Sequence, residues 1–130
     1  MKISDIEARE GIVWTEREQE AEYPLPRWYA GVREKSLHEL TLDDLGRFVR
    51  QELYLADILP YVLEKLCEDP LAGALYRGQL LRAVSDLSDD GWKRLDESSR
   101  AAWAECIREA RQEAERNLIA ADVLLKRLES

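Results

Sequence analysis

SSRAAWAECIREARQEAERNLIAADVLLKRLES, residues 98–130, carries Trp103, Ile107, Ala110, Ala114, Leu118, Ala121, Leu125 and Leu128 at spacings of three and four. Side chains so spaced share one side of an α-helix, whose period is 3.6 residues. The spacing predicts one helix of about 28 residues, about 40 Å long at 1.5 Å per residue, with Ser98 or Ser99 as its cap. The alanines narrow the stripe and let another helix approach closely. The stripe is therefore expected to pack inside the monomer and brace the whole domain, ahead of forming a coiled-coil dimer.

Upstream, Thr41-Leu42-Asp43-Asp44 is a helix start in which Thr41 can cap free amides and acids fill the first turn. Leu45, Phe48, Val49, Glu52 and Leu55 or Ala56 follow at helical spacing, an apolar stripe interrupted only at Glu52. Pro60 lies inside the next apolar stretch, where it must kink a continuing helix or sit in the first turn of a new one. Glu68-Asp69-Pro70 ends that helix. A short turn or helix over residues 71–76 leads to Gly78, and Leu80, Leu81, Val84 and Leu87 resume the period. Ser88-Asp89-Asp90 can cap a further short helix carrying Trp92 and Leu95. No strand-like alternation or internal repeat competes. The fold class expected is all-α, a single-domain irregular helical bundle over residues 1–130 with a long C-terminal helix.

Residues 1–32 show no sustained period and read as an acidic N-terminal arm with at most one short helix. Asp5, Glu7, Glu10, Glu16, Glu18, Glu20 and Glu22 stand there against Arg9 and Arg17, and Pro24 and Pro26 bracket Leu25. Trp14, Trp28 and Tyr29 can tie the arm down as core anchors or stand exposed as binding residues.

At 130 residues, with 45% apolar and 35% charged side chains, the chain can bury a core without disulfides or metals. It has no signal-like start and no apolar run long enough for a bilayer, so a cytoplasmic protein is expected. Cys67 and Cys106, without CxxC spacing, suit buried thiols in a reducing compartment, with a disulfide or reactive thiol as the alternative. Acids outnumber bases 27 to 19, a net charge of −8. That balance repels nucleic acid and anionic membranes and attracts basic protein surfaces.

The chemistry-bearing residues are sparse. The single histidine, His38, reads as a surface or capping residue, and it and two distant cysteines make no zinc site or triad. The six glycines are dispersed, with no phosphate loop, so no cofactor is expected. The pairs Asp43-Asp44, Glu68-Asp69 and Asp89-Asp90 all begin or end helices, where acids cap or are solvated, so they are not expected to work as acid and base. Arg100, Arg108, Arg111 and Arg116 alternate with Glu105, Glu109, Glu113 and Glu115, a solvated face. No catalytic residue is therefore expected, and an acidic arm set with aromatics is what an inhibitor needs to cover a basic nuclease groove.

Over residues 33–97 the chain resembles the helical immunity proteins of contact-dependent growth inhibition (CDI) systems. The matching residues are Leu37 and Leu40, Leu42-Asp43-Asp44-Leu45, Arg50-Gln51, Leu59-Pro60, Leu66, Asp69-Pro70, Tyr76, Gly78, Leu80-Leu81 and Trp92. One departure is Gln79, where an acid is expected after the glycine. The resemblance implies a cytosolic antidote, monomeric when free, that forms a heterodimer with the C-terminal domain of its cognate toxin and blocks its active site or substrate access. A basic nuclease suits a partner at −8. The expected contacts are Glu16, Glu18, Glu20, Glu22, Asp43 and Asp44 on toxin lysines and arginines, helped by Tyr23, Trp28 and Tyr29. The competing expectation is a helical adaptor or assembly subunit that uses an apolar face of the last helix.

Overall fold

The structure is a computed structural model that describes residues 1–12 and 24–130, the side chains of 24–26 excepted. In chain order the helices are α1 (Ile3–Glu10), α2 (Pro24–Val32), a 3-10 turn (Leu37–Glu39), α3 (Leu42–Arg50), α4 (Leu55–Glu68), α5 (Gln79–Ser85), α6 (Asp89–Trp92) and α7 (Glu97–Glu129). No strand is present among the described residues, and the all-α expectation is met.

α3 is the centre of the packing, lying against α4 and α5, while α4 also touches α5, the 3-10 turn and the base of α7. Its start is the expected one: the Thr41 hydroxyl accepts from the Asp44 amide at 3.1 Å, and the Asp44 carboxylate accepts from the Thr41 amide at 3.0 Å. This reciprocal cap satisfies two backbone groups that the first helical turn leaves unpaired. Leu45, Phe48 and Val49 then project inward, one helical face, against Ile58, Leu59, Val62 and Leu66 of α4. Phe48 is fully buried, and its truncation to Ala in such a core costs about 3–5 kcal/mol.

α3 ends at Arg50, one turn earlier than the stripe through Glu52 and Leu55 suggests. Glu52 and Tyr54 stand at positive φ, 53° and 50°, and turn the chain so that Leu55 opens α4. Pro60 lies within α4, whose helix continues through it. Pro60 and Ala56 are both exposed, so the Ala56 carbonyl that lacks a proline donor is left to solvent.

The first ten residues are not an arm. Ile3 and Ile6, one turn apart, are fully buried in the common core. α1 is held at its start by the Ser4 amide on the Arg33 carbonyl at 3.0 Å, and the Met1 carbonyl accepts from the Leu37 amide at 2.9 Å. A stripe of two isoleucines is too short to show a period, yet it buries as deeply as the long helices.

Residues 71–78 form a loop and no helix. Gln79 organises it: its side-chain oxygen accepts from the amides of Ala74 at 3.0 Å and Leu75 at 2.9 Å. Gly73 is needed there, because a Cβ would collide with the Tyr76 carbonyl oxygen and the Gln79 side chain.

α7 differs from expectation in two ways. Its cap is Asp96, whose carboxylate accepts from the Ser99 amide at 2.7 Å, and it runs 33 residues, about 50 Å. Only its base packs on the body, through Trp103 and Cys106. Every residue of 111–130 is exposed, so the apolar stripe does not brace the domain. Leu118 is 65% exposed, Leu125 51% and Leu128 72%.

Candidate functional site

Four charged and aromatic residues tie α1, α2 and the α3–α4 turn together. Arg33 grips Glu7 through Nε and Nη2, with both Nε contacts at 3.0 Å. Tyr29 donates its hydroxyl to Glu7 Oε2 at 2.6 Å and meets the Tyr54 hydroxyl at 2.7 Å. Burial pushes the Glu7 carboxyl up, but the bonds from Arg33 and Tyr29 and the charge of Arg33 outweigh it and hold the carboxyl below its usual range. The Tyr29 phenol is pushed up, first by burial and then by Glu7 and Tyr54. It therefore stays a donor at every physiological pH.

Beside this cluster, Trp28 stacks edge-on to Phe48, with ring centroids 4.8 Å apart, and the Arg47 guanidinium lies 5.6 Å from its ring centre. Its indole nitrogen donates to Asp44 at 2.9 Å, and Lys35 reaches the same carboxylate at 3.5 Å. Burial raises the Asp44 carboxyl, yet Trp28, the backbone and hydroxyl of Thr41, and Lys35 together lower it below normal. Asp43 is half-exposed and accepts from Arg47 at 3.1 Å.

The residues expected to meet a partner thus divide. Trp28, Tyr29, Asp43 and Asp44 are brought together on one side of α3. The expectation that Asp44 displays its charge outward is corrected: it is 5% exposed, because its oxygens are used to cap α3 and seat Trp28. The Tyr29 hydroxyl likewise points into the Glu7 network. Asp43 and part of Trp28 remain at the surface. Glu16, Glu18, Glu20, Glu22 and Tyr23, like Trp14, lie outside the described residues.

Round the body from this cluster, α1, the α3–α4 turn, α4 and the start of α6 enclose an open cleft of about 450 Å³. Its polar lining includes Arg9, Glu10, Glu52, Asp57, Asp90 and Arg94, four acids to two bases. Arg9 forks onto Asp57, 3.0 and 2.7 Å, and also reaches Glu10 at 2.9 Å. Glu52 is held by the Ser88 hydroxyl, which in turn caps α6 by accepting from the Gly91 amide at 3.0 Å. A Cβ on Gly91 would collide with the Glu52 carboxylate, so a glycine there is what lets the acid lie against α6. Glu52 and Tyr54, the two left-handed non-glycine residues among the described ones, both line this cleft. Such backbone costs about 1–2 kcal/mol per residue, and strain of this kind concentrates where geometry serves a purpose.

This cleft was not foreseen in the sequence, although Glu52 had one signal: it is the charged interruption of the α3 stripe. Arg9 and Asp57 stand 48 positions apart and gave none. Chemically the cleft offers carboxylates, with Glu52 and Asp90 exposed at its rim, which suits basic side chains from outside. Cys106 carries no activated thiolate, since burial, the neighbouring Cys67 thiol and Glu109 push it up to about 11. His38 is exposed and packs edge-on to Tyr61, with centroids 5.1 Å apart. Among the described residues no His, Cys, Asp and Glu group is arranged to hold a metal ion, and no helix is long and apolar enough to cross a membrane.

A family model described as CDI immunity proteins matches residues 9–102. The match takes in the acidic cleft, the Trp28 cluster and helices α2 to α6, and it stops just inside α7. No curated protein matches the sequence.

Proposed function

The chain belongs to the family of CDI immunity proteins, whose function is to neutralise a CDI toxin, and we propose that it does so in the cytoplasm as a one-to-one inhibitor of a basic nuclease domain. The carrying observation is where the negative charge lies: the family-matched region holds a cleft rimmed by Glu10, Glu52 and Asp90, on a chain of net charge −8. Carboxylates so displayed meet lysines and arginines that a nuclease uses to hold phosphates. Glu16, Glu18, Glu20 and Glu22 extend that acidic supply in sequence, with Tyr23, Trp28 and Tyr29 as aromatic anchors and Asp43 at the edge. Asp44 supports this surface from beneath. The inhibitor acts by covering the active site or the substrate path, with no chemistry of its own.

Co-expression with the toxin domain encoded beside its gene tests this reading. The two proteins are expected to copurify in equal amounts, and the cells to survive. Survival without association, or association with an acidic or membrane-bound toxin, would overturn it. The adaptor reading is favoured by one observation, the exposed apolar face of distal α7. An apolar contact there would bind with little dependence on salt, whereas the acidic interface weakens steeply.

A further inference from the structure

The stripe that fixes the base of α7 does not stop where the body stops. Trp103 is buried and Ile107 partly so, and the same helical face continues through Ala110, Ala114, Leu118, Ala121, Leu125 and Leu128 into a stretch where every residue from 111 on is exposed. At its root this face borders a groove of about 670 Å³, walled by Pro70, Leu71 and Leu81 from the body and by Ile107, Ala110 and Ala114 from α7. Leu71 in that wall is itself 48% exposed. A ridge of leucines and a groove floored by alanines thus occupy two ends of one helix.

We infer that this face is covered by a second copy of the chain, the two α7 helices running antiparallel about a two-fold axis between residues 119 and 120. The sequence of the face is self-complementary in that direction. Leu125 falls opposite the partner's Ala114, Leu118 opposite the partner's Ala121, and Leu128 beside the partner's Ala110, so large meets small at each level. The distal leucines thereby enter the groove at the other copy's root. A parallel pairing sets Leu118 on the partner's Leu118 and Ala121 on the partner's Ala121, which loses this fit.

The flanking charges follow the same symmetry. Arg111 and Glu129 both flank the stripe on one side, and Arg111 comes opposite the partner's Glu129. Within one chain Arg111 already pairs with Glu115 at 3.0 Å, so the flank becomes an alternating network. The opposite side of the helix, carrying Ile119 and Val123, takes no part.

The exposed rod is about 30 Å long and 10 Å wide, so helix against helix alone covers less than the ~800 Å² per partner of a standard interface. The groove walls add to it, and dissociation in the micromolar range is the expected strength. The leucines of this face lie beyond Ala102, outside the family-matched region, while the groove walls Pro70, Leu71 and Leu81 lie inside it.

Sedimentation equilibrium of the full chain, free of any partner, from about 1 to about 300 μM brackets that strength. The expected result is a reversible transition from 15.1 kDa to twice that mass. Leu125→Glu is expected to weaken it at least about 100-fold, since each dimer would bury two unpaired carboxylates. Ile119→Glu, on the far side, leaves it unchanged. Arg111→Glu weakens it and Glu129→Arg in the same chain restores it, as only the antiparallel arrangement brings those two sites together. A chain that stays monomeric throughout overturns the inference, even if Leu125→Glu then impairs toxin binding, which would assign the face to the toxin. A dimer indifferent to Leu125→Glu, broken by Ile119→Glu, or not restored by the charge swap overturns it equally.

Discussion

Replacing Arg33 with methionine should remove more stability than any other single surface-reaching change in the N-terminal half. The loss arises from what remains: Glu7 is 2% exposed, and without the guanidinium its carboxylate keeps, among the described residues, only the Tyr29 hydroxyl. Breaking a buried pair this way costs about 3–5 kcal/mol. The Arg33 side chain is 19% exposed, so water can partly replace it and the lower figure, about 3 kcal/mol, is expected. For a chain of this size that lowers Tm by about 10 °C.

The pH dependence separates this cause from mere lost packing. In the native protein the Glu7 carboxyl is held below its ordinary value. Its contribution is therefore complete above about pH 4.3, where the unfolded carboxyl titrates, and is lost as pH falls through the lower folded value. In Arg33→Met, burial is opposed by the Tyr29 hydrogen bond alone and raises the carboxyl, so lowering the pH relieves the variant. Urea unfolding of both proteins should give a difference of about 3 kcal/mol at pH 7, shrinking markedly by about pH 4. A difference under about 1 kcal/mol at pH 7, or one that is the same at both pH values, would show that Arg33 does not stabilise the buried Glu7 carboxylate.

Other perturbations have equally definite outcomes. Thr41→Ala removes the α3 cap and should cost about 1 kcal/mol in urea unfolding. Gln79→Leu leaves the Ala74 and Leu75 amides without their acceptor and should cost about 2 kcal/mol; Gln79→Glu keeps both bonds and should cost little at pH 7, which fits the acid expected at this position. Ending the chain after Ala110 removes only exposed residues, so thermal unfolding of the remaining body should change by no more than a few degrees.

Much of the helical body is legible in the sequence because caps and stripes are local. Thr41, Ser88 and the apolar face of α3 are read from residues within one or two turns of each other. What was not legible is either too short or too distant to leave a local signature. Ile3 and Ile6 are only two points of a period, so α1 looked like part of an arm. Glu7 and Arg33 lie 26 positions apart and look like two solvated charges until the fold joins them. Asp44 shows how one residue type serves two ends: its position announced a cap, and the same capping role removed it from the surface. The distal stripe of α7 is apolar as its period says but is not packed on the body, since a helical period records an apolar face and not what that face packs against.

If exposed carboxylates of this protein draw in a basic toxin domain, the association rate with the purified cognate toxin domain depends on salt between about 50 mM and about 500 mM, where the screening length shrinks from beyond 10 Å to under 5 Å. Rapid association that slows at least about tenfold over that range is predicted. A rate that barely changes with salt would rule out electrostatic capture of the toxin by these carboxylates.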